Sequence, residues 1–223
     1  MKDLTLIIPA KKESESLPRV LDELKEFELK VKVVLASDDL ITIKSIEKYE
    51  VEIIFQEKSG YGDALITGIN SLSEGYFCIF NADGSFDPRE LSDMYKKLKL
   101  NNSDFIFATR YEENSGSEDD TFLTKLGNKI FTILGKLLFR LNLTDILYTY
   151  VIGNVEQYKK LNINSLDFGF CVELPIMAKK NNMNLLTFPS YERKRIAGIK
   201  KVNEFKDGFL ILFKMINLIF RKK

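Results

Sequence analysis

Short apolar runs alternate with segments of helical periodicity through the first 110 residues, and few architectures accept that pattern. Residues 4–8, 31–36, 51–56, 76–80 and 104–109 read as strands. Between them, Leu17, Val20, Leu21 and Leu24 fall at i, i+3, i+4 and i+7, one face of a helix over 14–27 that Ser14 or Ser16 caps and Pro18 tolerates. Further helices are expected over 40–49, 63–73 and from Pro88 onward. Strands joined by helices form βαβ units, so the expected fold is α/β, with a mostly parallel, Rossmann-like central sheet flanked by helices. Such sheets bind ligands beyond the carboxyl ends of their strands. The residues there are Lys11 to Glu13, Ser37 to Asp39, Glu57 to Gly62, Asn81 to Ser85, and Arg110.

Composition removes several function classes. The 223 residues contain no histidine, which eliminates Ser-His-Asp and Cys-His nucleophile systems and histidine metal sites together. The two cysteines, Cys78 and Cys171, sit in apolar runs and read as buried free thiols, in keeping with a reducing, cytoplasmic setting. Lysine and arginine total 33 against 32 acidic residues, so nucleic acid is not an expected partner. MKDLTLIIPA reads as a strand, not a targeting segment. No run reaches the ~20 apolar residues that span a bilayer. Oligomeric state is not legible.

Beyond Arg110 the character changes. The stretch 112–120 holds five acidic and no basic residues, which reads as a mobile loop or lid. Residues 122–141 form a long, very apolar helix, 156–161 and 171–181 read as helical, and 185–188 as a strand. From Arg193 onward there are ten basic and two acidic residues, ending in GFLILFKMINLIFRKK. The apolar stretches 122–141 and 209–220 suit either core packing or an interfacial surface on a membrane, where Lys206, Lys214, Arg221, Lys222 and Lys223 would face anionic headgroups.

Each candidate site has two readings. Asn81-Ala82-Asp83-Gly84-Ser85 ends a buried strand, where hard oxygen ligands suit Mg²⁺ or Mn²⁺ on a diphosphate; equally, Asp83 serves as a turn cap. Asp38 and Asp39 bond a ribose or base edge, or cap the next helix. Lys58-Ser59-Gly60-Tyr61-Gly62 lets a ligand approach backbone, or is a plain turn; it is neither GxxxxGK[ST] nor GxGxxG. Arg193, Lys194, Arg195, Lys200 and Lys201 make a phosphate clamp or a solvated face.

Taken in order, six segments resemble the family 2 glycosyltransferases of GT-A fold. Within that family they are most similar to the polyprenyl-phosphate sugar synthases, such as dolichol-phosphate mannosyltransferase. LTLIIPAKKESESLPRVLDEL resembles the IPxxNExxNLxxxL opening, LASDD the VDD segment, and EKSGYGDALITG the KxxGxGxAxxxG loop. CIFNADGSFDPREL resembles the DADGSxxPxxL metal motif and DFIFATRY the GxRY strand. FGFCVELPIMAKKNNMNLLTFP with ERKRIAGIKKV resembles the catalytic-domain end with its R-x-x-G-x-x-K.

The resemblance implies a GT-A domain over 1–205, with 206–223 as an amphipathic basic helix of the same unit. It implies inverting, metal-assisted transfer of a hexose from a UDP- or GDP-sugar to a polyprenyl phosphate at the cytoplasmic membrane face. Pro9, Lys11, Glu13, Asp38 or Asp39, Lys58, Gly62 and Ala82 would bind the donor. Asp83, with Asn81 and Ser85, would hold the metal, and Arg110, Arg195 and Lys201 the phosphates, with Lys125 where another arginine is common. Asn81 replaces the first acid of the DxD motif, Lys12 an asparagine and Ser37 an aspartate; 144–150 departs from the family's Thr/Ser-Gly-Phe. These departures keep two other outcomes open: transfer to a glycan or other hydroxyl, and nucleotide-sugar binding without turnover.

Overall fold

A computed structural model describes residues 1–198 and 203–222. Seven strands form one sheet: β1 (Leu4–Pro9), β2 (Lys30–Leu35), β3 (Glu52–Phe55), β4 (Tyr76–Ile79), β5 (Phe105–Thr109), β7 (Val151–Asn154) and β8 (Leu185–Pro189). Their order is β3-β2-β1-β4-β7-β5-β8. Every neighbouring pair is parallel except those made by β7, which runs antiparallel to both β4 and β5. A separate ribbon pairs β6 (Gly116–Ser117) with β9 (Tyr191–Glu192) in parallel.

The helices are α1 (Leu17–Leu24), α2 (Leu40–Ile46), α3 (Tyr61–Asn70), α4 (Leu91–Leu100), α5 (Phe122–Phe139), α6 (Val155–Lys159), α7 (Phe170–Lys180) and α8 (Glu204–Phe220). Alternation along β1 shows how the sheet divides its side chains. Leu4, Leu6 and Ile8 enter the core under α1, α2 and α4; Ile7 points to the opposite core under α3, α7 and α8. The spacing that predicts α1 is borne out, with Leu17, Val20, Leu21 and Leu24 all buried. Its capping is not: the Ser16 hydroxyl donates to the Glu13 carboxylate at 2.7 Å instead of accepting from a helix amide. Cys78 and Cys171 are buried free thiols, and burial pushes the Cys171 thiol up to about 12.

β7 is the strand that the sequence pattern hides. It is four residues long and carries a glycine, too short for an alternation signal. Gly153 is there because a Cβ would lie 2.5 Å from the Phe105 ring. Because β7 is antiparallel, Ile79 at the carboxyl end of β4 pairs with Val151, the first residue of β7. The connection before β7 therefore arrives at the ligand edge of the sheet.

No helix among the described residues is long and apolar enough to cross a membrane. α8 is partly core: Ile211, Met215 and Leu218 are buried against the rest of the protein. Its basic residues also have internal work. Glu173 on α7, with a fully buried side chain, accepts from the backbone of Asn164 (3.2 Å) and Ser165 (2.7 Å). The same carboxylate pairs with Lys214 at 2.9 Å and with Arg221. The expectation that Lys214 and Arg221 face lipid headgroups is thus corrected; both lock α8 onto α7.

Burial raises the Glu173 pKa, but the Ser165 and Lys214 hydrogen bonds and the Lys214 charge outweigh it and hold it below the usual 4.5. The ionised form therefore stabilises the fold above pH 4.5, and the contribution is lost as pH falls through the lowered value. Glu173→Ala is expected to cost about 3 kcal/mol at neutral pH, measured by urea denaturation. The acid limb of its stability–pH curve should be flatter than that of the unaltered protein. An equally steep limb would refute the anchor.

Candidate functional site

One cavity of 540 Å³ lies over the carboxyl ends of β1, β4 and β5. Pro9, Lys11 and Glu13 line it from β1, Asn81, Ala82, Asp83 and Ser85 from β4, and Arg110 from β5. Lys58, Gly60 and Tyr61 close one side, and Arg195 enters from the tail. Most sequence-predicted positions are thus brought to one place.

Asp83 plays two parts at once. Its Oδ1 accepts from the Ser85 backbone N–H at 3.0 Å and the Ser85 hydroxyl at 2.7 Å, forming the turn cap. Its Oδ2 faces Arg195 Nη1 at 3.8 Å, beyond hydrogen-bond reach. Asn81 Nδ2 lies 3.4 Å from the Ser85 hydroxyl. Gly84 has φ +82° and lies directly under Ile196, where a Cβ would be 2.4 Å from the isoleucine side chain. The Asp83 carbonyl accepts from the Ile196 N–H at 2.8 Å, so the tail is laid onto the motif and Arg195 is aimed inward. The Arg195 guanidinium is gripped side-on by Asp119, Nε to Oδ1 at 3.1 Å and Nη2 to Oδ2 at 2.6 Å.

Arg110 occupies a different environment from the expected one. Its side chain is 9% exposed and meets three carboxylates. Nε and Nη2 bond Asp145 at 2.8 and 3.1 Å, and Nη1 bonds Asp120 at 3.2 Å and Glu192 at 3.0 Å. The guanidinium also stacks 4.5 Å over the Tyr148 ring. Burial pushes the Glu192 carboxyl up despite the facing Arg110 charge. Arg110 therefore holds walls together, with four of its five N–H donors given to carboxylates. Asp145 also accepts from Asn128 Nδ2 at 2.6 Å, which ties α5 to the same knot.

The acidic stretch is corrected accordingly. Ser117 to Asp120 is held by β6–β9 pairing, by Arg195 on Asp119 and by Arg110 on Asp120, with Tyr111 donating to Asp120 as well. Three other expectations are refined. Asp39 caps α2 through the Thr42 N–H at 3.4 Å and accepts from the Lys12 N–H at 2.7 Å, while Asp38 is exposed; neither lines the cavity. Gly60 and Gly62 have a packing reason of their own, since a Cβ would lie 2.1 Å from the Leu166 carbonyl and 2.0 Å from that of Ser165. Lys125 is exposed, 5.8 Å from the Tyr111 ring, and lines no part of the cavity. Lys200 and Lys201 lie outside the described residues.

Sequence reasoning missed Asp119, Asp120, Asp145 and Glu192. It also missed the inner faces of α5 (Leu123, Gly127, Phe131) and α8 (Phe205, Gly208, Ile211), which wall the cavity. Buried carboxylates in apolar surroundings, such as Asp145 in TDILYTYV, were the available signal. Among the described residues, no group of three or more carboxylates or thiols could hold a metal ion by itself. Asp83 with Asn81 and Ser85 instead offers one carboxylate and two neutral side chains. That set suits a hard cation which takes its remaining ligands from water and substrate phosphates.

Comparison with known proteins agrees with this geometry. The model of glycosyl transferase family 2 matches residues 5–161. An uncharacterized protein of Methanocaldococcus jannaschii is 23% identical over 221 residues, covering 96% of this chain and 91% of its own. The poly(ribitol-phosphate) β-N-acetylglucosaminyltransferase of Staphylococcus aureus is 25% identical over 195 residues, 81% of this chain, which spans 59% of that protein's length. Glucosyl-3-phosphoglycerate synthase of Mycobacterium tuberculosis, solved with Mn²⁺, UDP and glucosyl-3-phosphoglycerate, superposes with a TM-score of 0.75 at 12% identity. That superposition covers 97% of this chain and 79% of the synthase. At that identity the likeness is one of fold, the GT-A arrangement.

Removing Asp145 leaves a buried guanidinium with an incomplete set of partners. Asp145→Ala is expected to lower stability by about 3–5 kcal/mol and to make the 112–120 stretch readily cleaved by proteases. A loss below about 1 kcal/mol, with cleavage unchanged, would mean that Arg110 does not organise the site.

Proposed function

Because the chain belongs to glycosyl transferase family 2 and is on that ground a glycosyltransferase, we propose that it moves a hexose from a UDP- or GDP-sugar to a polyprenyl phosphate at the cytoplasmic face of a membrane. One observation carries the lipid acceptor. Of the twenty large apolar side chains exposed among the described residues, fifteen belong to α5 and α8, the two helices that wall the cavity. Exposed apolar surface on that scale marks an interaction site. α5 has no acidic residue, and Lys125, Lys129 and Lys136 are exposed along it, a combination suited to an interface with anionic headgroups. Phosphate-bearing acceptors are also a theme of the relatives, one named for poly(ribitol-phosphate) and one for 3-phosphoglycerate. α8 belongs to the same unit in this reading, because its inner face is part of the site.

The donor would lie across the strand ends, its nucleoside over Pro9, Lys11 and Glu13 with Ala82 beneath, and its diphosphate between Lys58, Asp83 and Arg195. Mg²⁺ or Mn²⁺ held by Asp83, with Asn81 and Ser85 at its edge, supplies charge neutralisation for the departing diphosphate. An acceptor phosphate is already ionised at neutral pH, so its oxygen attacks the anomeric carbon without a protein base while the bond to the diphosphate breaks on the opposite face. Arg195 then orients anionic oxygens, and Arg110 serves as a positioning residue. The charge balance of the cavity supports the need for a cation. Among the described residues seven carboxylates and four basic side chains line it, and such a surface does not attract a diphosphate unaided.

A second reading rests on Asp119 and Asp120, which also line the cavity. A hydroxyl acceptor needs a base, and a carboxylate there is placed to serve as one.

The test incubates the protein with Mg²⁺ or Mn²⁺, a short polyprenyl phosphate and labelled UDP- and GDP-sugars, and counts label that enters organic solvent. Transfer to the lipid is expected, and Asp83→Ala should lower it about a hundredfold or more. Release of nucleotide diphosphate without lipid label would favour the hydroxyl reading; binding without release would indicate a fold that has lost turnover. Replacing both Phe209 and Phe213 by Glu should abolish flotation with anionic vesicles, and unchanged flotation would remove the membrane face from the proposal.

A further inference from the structure

Among the described residues, five glycines lie within helices: Gly62, Gly68, Gly127, Gly135 and Gly208. Three are there because something else is close. A Cβ would lie 2.0 Å from the Ser165 carbonyl at Gly62, 2.5 Å from Ile7 at Gly68, and 2.9 Å from Ile146 at Gly135. Gly127 and Gly208 differ: a Cβ at either meets nothing within 4 Å apart from the neighbouring backbone of its own helix. Neither has a positive φ. Both weaken the helix that carries them relative to alanine. Neither packing nor backbone conformation accounts for them.

What they share is the cavity. Leu123, Gly127 and Phe131 are spaced i, i+4, i+8 on α5, and Phe205, Gly208 and Ile211 follow at three-residue steps on α8; all six line it. The two helices pack against each other. Asp83 and Arg195 line the same cavity. Leu123 and Phe205, which line it as well, are among the exposed apolar side chains of the two helices.

We infer that the space left open at Gly127 and Gly208 is a sleeve for the hydrocarbon chain of the acceptor, with the acceptor's phosphate at Arg195. The inference rests on the lipid-phosphate reading and deepens it, by naming the residues that admit the chain. One kind of occupant fits this continuity: a slender, flexible apolar chain with one anionic head, entering from an apolar surface and ending at a guanidinium. A compact sugar or glycerate hydroxyl has no use for an apolar passage. The first isoprene units would pass the two glycines, where any side chain would stand in the path.

The test measures binding by calorimetry, with isopentenyl and farnesyl phosphates below their aggregation limits, and with UDP as the control. Farnesyl phosphate should bind at least tenfold more tightly than isopentenyl phosphate, because the longer chain buries more apolar surface. Gly127→Leu and Gly208→Leu should each weaken farnesyl phosphate at least tenfold. UDP affinity should stay within twofold, and the melting temperature should stay the same or rise. Alanine at either position should weaken binding less than leucine. Chain-independent binding, or leucine variants that bind farnesyl phosphate as the unaltered protein does, would overturn the sleeve. The transfer assay separates the two claims. Chain-dependent binding lost in the leucine variants, without transfer, would leave the sleeve standing and remove the lipid-transfer reading. Transfer with chain-independent binding would do the reverse.

Discussion

The site depends on one buried arginine. Arg110 leaves the end of β5 and gathers Asp145 from the connection before β7, Asp120 from the acidic stretch and Glu192 from β9. Four segments distant in sequence meet on one planar group, and Asn128 of α5 joins through Asp145. Such a cluster adds little net stability, because desolvating the charges opposes their attraction. Its effect is on arrangement: each carboxylate fixes the direction of the segment that carries it. Asp119 and Asp120 are adjacent and grip different arginines, so the segment fixed on Arg110 also fixes Arg195 beside Asp83.

This explains which parts of the protein were legible in its sequence. The strands β1, β4 and β5 and the helix α1 announced themselves, because each buries an apolar run or face and periodicity reports burial. The strand-end rule then located Pro9, Lys11, Glu13, Asp83 and Arg110 at a common edge without any knowledge of contacts. Roles were harder. Arg110 was noticed for its place but not for its carboxylate partners, since a guanidinium looks the same in sequence whether it meets phosphate or carboxylate. The glycines at 60 and 62 were noticed for their spacing, yet the atoms that exclude a side chain belong to Ser165 and Leu166, about a hundred residues away. β7 is held by pairing on both edges rather than by any pattern of its own.

The tail illustrates a different limit. Its mixture of basic and apolar residues fits a lipid surface, an internal contact or both, and composition does not separate them. The structure divides the labour within one helix. Lys214 and Arg221 turn inward to Glu173, and Ile211, Met215 and Leu218 enter the core. Phe209, Phe213 and Phe220 remain outside. The charges that looked made for headgroups fasten the helix, and the aromatic residues that looked made for a core are the ones left over.

That inversion bears on how an acceptor reaches the reacting centre. A helix fastened by a buried carboxylate and still exposing phenylalanines is held rigid with its apolar side outward, a state that costs solvation unless something covers it. α5 presents the same imbalance beside it. In the proposed reading the covering surface and the acceptor come from the same phase, so one apolar face both docks the enzyme and delivers the substrate. The rigid anchor then matters for chemistry as well as for folding. It fixes the height of the cavity above the apolar plane, and with it the length of chain that lies between that plane and Arg195.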